Sequence, residues 1–239
     1  MRSLLAGGDP VDLTAAYAMD RPSLRVNFVA SADGAATLDG RSGGLGNAND
    51  QHILGLLRRL ADVLVVGAGT LRAEGYGPLV LGGTAVAWRR DHGMPDHPRL
   101  AVVSARLHGL GPEHPSFAGA PVRPLVVTVG AAPEDRRRAL ADVADVLICG
   151  DDELDAAALP EMLAARGLPG VLCEGGPTLF GALVAADRVD ELCLTLSPWL
   201  AGAGASRIVA GPPAVPRPLT LRHVLTDDEL LFLRYARQV

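Results

Sequence analysis

The chain has 239 residues, 49% of them hydrophobic, and a formal net charge of −5. That apolar content supports a packed core and excludes disorder. The acidic balance excludes a nucleic-acid-binding surface, and the short Arg136-Arg137-Arg138 run reads as a solvated helix face. No run reaches the roughly 18 apolar residues of a membrane span. The early Leu4-Leu5-Ala6 run stops at Gly7-Gly8-Asp9-Pro10, so no secretory leader forms and a cytoplasmic protein is expected. Cys149, Cys173 and Cys193 each sit inside an apolar run without metal-ligand spacing. They read as small buried hydrophobes, no metal is expected, and a zinc deaminase is excluded.

In chain order, residues 1–20 read as an N-terminal extension and 21–239 as one domain. Val26–Ala30 is the first strand. Gly40-Arg41-Ser42-Gly43-Gly44 formally matches a hydrolase nucleophile elbow, but no apolar strand precedes it and no helix follows, so a flexible loop is expected. From Asp50, the residues Ile53, Leu54, Leu57, Leu60 and Ala61 fall on one helical face, with Asn49 or Asp50 as N-cap. Further strands are read at Val63–Val66, Leu100–Val103, Leu125–Val129, Val143–Cys149, Val171–Cys173 and Leu192–Leu196, with surface loops at Gly82–Pro98 and His108–Pro124. Helices are expected over Leu154–Ala165 and Thr178–Ala186. Leu219–Leu225 and Leu230–Tyr235 flank Thr226-Asp227-Asp228-Glu229 as an antiparallel hairpin. Continuous apolar runs alternating with helices predict an α/β fold. Its sheet should be mixed and mostly parallel, of about eight strands, with helices on both faces.

Two strand-to-helix junctions carry glycine: Gly67-Ala68-Gly69-Thr70 and Glu174-Gly175-Gly176-Pro177-Thr178-Leu179. Backbone N–H groups at such junctions point outward unpaired and favour an anion, and glycine lets a phosphate come close. Pro177 suits a first helical turn. The first junction is not a Rossmann fingerprint. Arg72 stands where Gly or Ala is needed, and no acidic residue lies about 20 residues on to hold a ribose.

Four segments in order resemble the reductase domain of the bifunctional riboflavin-biosynthesis deaminase–reductase, a family with the dihydrofolate-reductase-like fold. They are Ser31-Ala32-Asp33-Gly34, Leu57-Arg58 with Ala61-Asp62, Val66-Gly67-Ala68-Gly69-Thr70, and Glu174 to Leu179 followed by Val189-Asp190-Glu191-Leu192. With no deaminase part, the chain resembles a stand-alone pyrimidine reductase. The resemblance implies NADPH as cofactor, direct hydride transfer to a small nitrogen heterocycle, and a homodimer, for which Leu230–Leu233 is a candidate surface.

By position, the resemblance puts Thr70, Glu74, Gly67, Gly69 and Gly175 to Phe180 (Gly176, Pro177, Thr178 and Leu179 among them) at the cofactor. Val29 and Gly44 go by the nicotinamide half, and Ser42, Arg58 and Glu174 at the substrate. Ser104 and Arg106, just after a strand, are candidates for the cofactor's 2′-phosphate. Asp33, Glu174 or water is the proton source. The chain departs from the family in having Gly44-Leu45 where a Trp is common, Glu74-Gly75-Tyr76 for Asp-Asp-Pro, and Gly82 for the Arg that helps bind the substrate phosphate. Arg72, Arg89 or Arg90 then substitutes, or the substrate lacks the phosphate. Reduction of phosphoribosylamino-uracil is the leading activity; dihydrofolate reduction and non-catalytic NADPH binding are the alternatives.

Overall fold

Val63 and Val65 pack into one core, and Leu64 and Val66 into another, because side chains alternate along a strand buried on both faces. The computed structural model describes residues 1–4, 11–227 and 229–238. Its strands are β1 (Arg2–Ser3), β2 (Ser23–Ser31), β3 (Val63–Gly67), β4 (Arg99–Val103), β5 (Leu125–Thr128), β6 (Asp145–Ile148), β7 (Gly170–Cys173), β8 (Glu191–Ser197), β9 (Leu219–Asp227) and β10 (Leu230–Arg237). Its helices are α1 (Leu13–Ala16), α2 (Ala48–Leu60), α3 (Ala68–Ala73), α4 (Gly83–Asp91), α5 (Glu134–Ala141), α6 (Leu159–Ala164) and α7 (Pro177–Ala185).

The strands form one mixed sheet in the order β1-β9-β10-β8-β2-β7-β3-β4-β5-β6. From β8 through β6 all neighbours are parallel; β10 pairs antiparallel with β8 and β9, and β1 antiparallel with β9. The mixed sheet and the C-terminal hairpin are as expected, but ten strands replace the expected eight or so. Ile53, Leu57 and Leu60 of α2 fill one core, while Leu159, Leu163, Leu179 and Leu183 of α6 and α7 fill the other. β7 inserts between β2 and β3, so chain direction along the sheet reverses there. A cleft outside the carboxyl ends of these strands is where open α/β sheets hold ligands.

Several sequence expectations are corrected. Helix α2 starts two residues early: Asn47, not Asn49 or Asp50, is the N-cap, its side chain accepting from the Asn49 and Asp50 N–H groups. Leu54 leaves the core face and lines a cavity, and Leu56 takes the buried place. The Gly82–Pro98 segment is not all loop but holds α4, whose Arg89 is buried. The helix expected over Leu154–Ala165 shortens to α6, and the strand at Val143–Cys149 to β6. Thr226 and Asp227 belong to β9 rather than to the turn.

Of the candidate dimer surface, Leu230 and Phe232 are buried in the chain's own core on a strand held between β8 and β9, while Leu231 and Leu233 stay half-buried. The residues set apart as an extension supply β1 and α1. Arg25 donates to the Tyr17 and Ala18 carbonyls and Arg234 to those of Ala16 and Ala18, which fastens that segment to the sheet. Part of the extension, residues 5–10, lies outside the described residues.

All three cysteines are free and buried; burial pushes the Cys193 thiol up to about 11 and the Cys173 thiol up to about 12. No helix among the described residues is long and apolar enough to cross a membrane. The Arg136–Arg138 run lies on α5, where exposed Arg138 pairs with Glu134.

Candidate active site

The two glycine turns meet at one place. The Gly67 N–H, at the end of β3, donates to the Gly175 carbonyl at 2.6 Å, and the Glu174 N–H donates to the Val65 carbonyl at 3.0 Å. A side chain on Gly175 would put a Cβ 2.7 Å from the Phe28 ring at a φ of +91°, so only glycine fits. A Cβ on Gly176 would run into the Thr70 hydroxyl. The turns therefore interlock through residues with no room for side chains. Helix α7 begins there with no side-chain cap and no acidic residue in its first turn, so its leading N–H groups are available to an anion.

These turns border a cavity of about 800 Å³ at the carboxyl ends of β2, β3, β4 and β7. That is room for a cofactor and a small substrate together. Of the residues singled out in the sequence, Val29, Ser42, Gly67, Gly69, Thr70, Glu74, Ser104, Arg106, Glu174, Gly176, Pro177, Thr178 and Leu179 line it. Asp33, Gly44, Arg58, Gly175 and Phe180 do not. The first of these, Asp33, is exposed. Its carboxylate accepts from the Ser31 hydroxyl and from the Ala201 and Gly202 N–H groups at 3.1 and 2.8 Å, which ties two loops together. The Ser31 bond chiefly, then those two N–H groups, lower its pKa. Gly43 lines the cavity in place of Gly44, whose face is turned to Leu38.

Glu174 is 8% exposed and accepts three hydrogen bonds. Arg58 grips it with both Nε and Nη2, at 2.7 and 2.6 Å, and the Tyr76 hydroxyl donates to Oε2 at 2.6 Å. Burial and the neighbouring Glu174 charge raise the Tyr76 hydroxyl well above the usual phenol range, so it stays a donor. Burial alone would lower Arg58, but its bonds to Glu174 outweigh this and keep it charged. Across the cleft, Glu74 accepts from the Ser42 N–H at 2.8 Å, which fastens the Gly40–Gly43 turn to the end of α3. The Glu74-Gly75-Tyr76 segment thus brings two hydrogen-bonding side chains to the cavity wall, Glu74 and Tyr76.

The arginines offered as substitutes for the missing phosphate contact sort clearly. Arg89 is spent on the carbonyls of Pro95, Arg59 and Ala61, and Arg90 pairs with Asp96 on the surface. Only Arg72 lines the cavity, and it donates to the His108 carbonyl at 2.7 Å.

Sequence reading missed Asp50, Gln51, Leu54 and Tyr76 as lining residues. Asp50 is 8% exposed, and burial raises its pKa, opposed only by a hydrogen bond from Thr195 of β8. Among the described residues, no three His, Cys, Asp or Glu side chains gather as a metal site.

Residues 22–233 match the RibD C-terminal domain. The 2,5-diamino-6-ribosylamino-4(3H)-pyrimidinone 5′-phosphate reductase of Archaeoglobus fulgidus is 30% identical over 190 residues, covering 79% of this chain and 86% of that protein. Its namesake from Methanothermobacter thermautotrophicus is 25% identical, covering 90% and 98%. Among solved structures, a pyrimidine reductase-like protein from Corynebacterium diphtheriae superposes with a TM-score of 0.81 at 28% identity, over 98% of each chain. The Saccharomyces cerevisiae riboflavin biosynthesis reductase shares the fold, with a TM-score of 0.65 at 17% identity. With the interlocked glycine turns, the Arg58–Glu174 pair and this match along nearly the whole domain, the chain belongs to the RibD C-terminal domain family.

Proposed function

We propose that this protein is an NADPH-dependent reductase acting on a ribosylamino-pyrimidine 5′-phosphate, as the two archaeal relatives are named to do. The observation that carries the reading is the single cavity bounded by the paired glycine turns on one side and by Ser42, Asp50 and Tyr76 on the other.

The residues fit a nicotinamide dinucleotide. The bare N–H groups of Gly176, Thr178 and Leu179 and the Thr70 hydroxyl suit a pyrophosphate, since any side chain at Gly176 would fill the cradle. Exposed Arg106 with Ser104 suits the 2′-phosphate. Bound NADPH would supply the hydride. The protein's own part is to orient the ring system, exclude water and fix charge. Tyr76 and Arg58 hold Glu174 rigid, so that residue shapes the cleft.

For the substrate phosphate, exposed Arg41 and Arg207 stand beside the lining residues Gly40, Ser42 and Ser206. Their loops are joined by a bond from the Ala36 N–H to the Ser206 carbonyl at 2.7 Å. A second copy would dock on the exposed apolar side chains Trp199, Leu200, Leu219 and Leu221.

The test is loss of NADPH absorbance when the purified protein meets the ribosylamino-pyrimidinone phosphate, with the ribityl compound identified by mass. Turnover of dihydrofolate alone would replace this reading with the pterin one.

A further inference from the structure

A carboxylate that is buried against a cavity without a cation is costly unless a ligand supplies donors. Asp50 is such a group. It is more than nine-tenths buried and lines the cavity, and the hydrogen bond that eases its charge comes from the Thr195 hydroxyl, with no cation beside it among the described residues. Gly46 makes room for it, since a Cβ there would stand 2.5 Å from Oδ2. Asn47 has already capped α2, so Asp50 is not needed for capping. Of the other carboxylates of the cleft, Glu174 already accepts three hydrogen bonds from Arg58 and Tyr76, and Glu74 is less buried and accepts from the Ser42 N–H, so neither charge is left as unanswered as that of Asp50.

We infer that Asp50 anchors the substrate ring and selects a 2-amino-4-oxo heterocycle over a 2,4-dioxo one. The inference rests on the proposed pyrimidine reductase reading and makes it more specific. A 2-amino-4-oxo ring presents its N3–H and its exocyclic amino group side by side, two parallel donors that match the two oxygens of a carboxylate. In a 2,4-dioxo ring the amino group is replaced by a carbonyl, whose lone pairs face the carboxylate and repel it. A site built around a buried hydrogen-bonding group rejects an analogue that cannot satisfy it far more strongly than a hydrophobic pocket rejects a missing methylene. Ring selection therefore runs through Asp50, and the uracil-type substrate is the disfavoured one.

The experiment uses the NADP-loaded protein and two ring probes, pterin (2-amino-4-oxo) and lumazine (2,4-dioxo), with binding measured by calorimetry for the wild type, Asp50→Asn and Asp50→Ser. The wild type should prefer pterin by at least about tenfold. Asp50→Asn should abolish that preference or reverse it, because an amide offers one donor and one acceptor and so complements the dioxo edge. Equal binding of the two probes by the wild type, no binding of either, or parallel losses for both in the variants would overturn the inference. A melting temperature at or above that of the wild type shows that a variant is folded, and Asp50→Ser provides the smaller, uncharged control.

Steady-state kinetics on the amino-oxo and dioxo ribosylamino phosphates then separates the two readings. Pterin preference without turnover of either phosphate leaves the ring anchor standing and removes the proposed reaction. Turnover of both phosphates with equal efficiency keeps the reaction and removes the anchor.

Discussion

Glu174, at the turn after β7, and Asp50, in the first turn of α2, are equally buried carboxylates on one cavity, yet Glu174 receives three hydrogen bonds from Arg58 and Tyr76 while Asp50 has no cation beside it. Charge that the protein itself neutralises holds the architecture together. Charge left unanswered inside a cavity is kept for something that arrives from outside. The same contrast holds away from the cleft. Glu191 is answered by both Arg25 and Arg234, and its neighbour Asp190 accepts from the Leu24 N–H at 2.8 Å, so that part of the family signature serves the fold.

The contrast breaks most visibly if Glu174 is removed. Arg58 would keep its charge with its side chain only 26% exposed and no carboxylate to answer it. Breaking a fully buried pair costs about 3–5 kcal/mol, and the partial exposure of Arg58 places Glu174→Ala near 2–3 kcal/mol. Urea unfolding measures it. The double variant Arg58→Met with Glu174→Met should regain most of the loss, since an apolar pair leaves no orphan charge. If Glu174→Ala unfolds at the wild-type midpoint, Glu174 is not an architectural residue.

How far these roles show in the sequence depends on how local they are. The glycine turns were legible because each is a short stretch whose backbone geometry dictates its own residues, as at Gly175, where the Phe28 ring and the positive φ leave no choice. Arg58 and Glu174 were singled out through the family resemblance, but nothing local shows that they bind each other across 116 positions. Asp50 looks like a helix start in the sequence, and only the arrival of β8 with Thr195, together with Gly46, makes it a cavity residue. Helix α4 looks like loop in the sequence because it opens on Gly82-Gly83 and exposes most of its residues; the one large side chain it buries fully is Arg89, a charged one. The two-residue β1 is too short to carry an alternation at all.

A cation tests the same contrast with the sign reversed. Exposed Arg106 lies beside the cavity and takes part in no ion pair among the described residues. If it is kept for the 2′-phosphate, Arg106→Ala should raise KM for NADPH about tenfold, or ~1.4 kcal/mol, and leave KM for NADH nearly unchanged. Added salt should shrink the wild-type preference, because the pair forms at the surface. Equal effects on the two cofactors would sink the assignment.

The smallest expected effect is the most direct reading of an unanswered charge. Burial raises the Asp50 pKa in the folded protein above its ordinary value, with the Thr195 hydrogen bond limiting the rise. Below the ordinary value Asp50 is neutral in both folded and unfolded chains and its charge costs nothing. As pH rises, the unfolded chain ionises first, so stability is lost, and the loss is complete once the folded group has ionised as well. Asparagine keeps the shape and never ionises. The ligand-free Asp50→Asn protein should therefore match the wild type near pH 3 and melt higher at pH 7, by about 2–4 °C for each kcal/mol relieved. Its gain in stability should accompany loss of the pterin preference, as when a strained ligand-binding group is relaxed. A melting difference that is flat with pH, or a less stable variant at pH 7, would instead make Asp50 part of the architecture, on the same footing as Glu174.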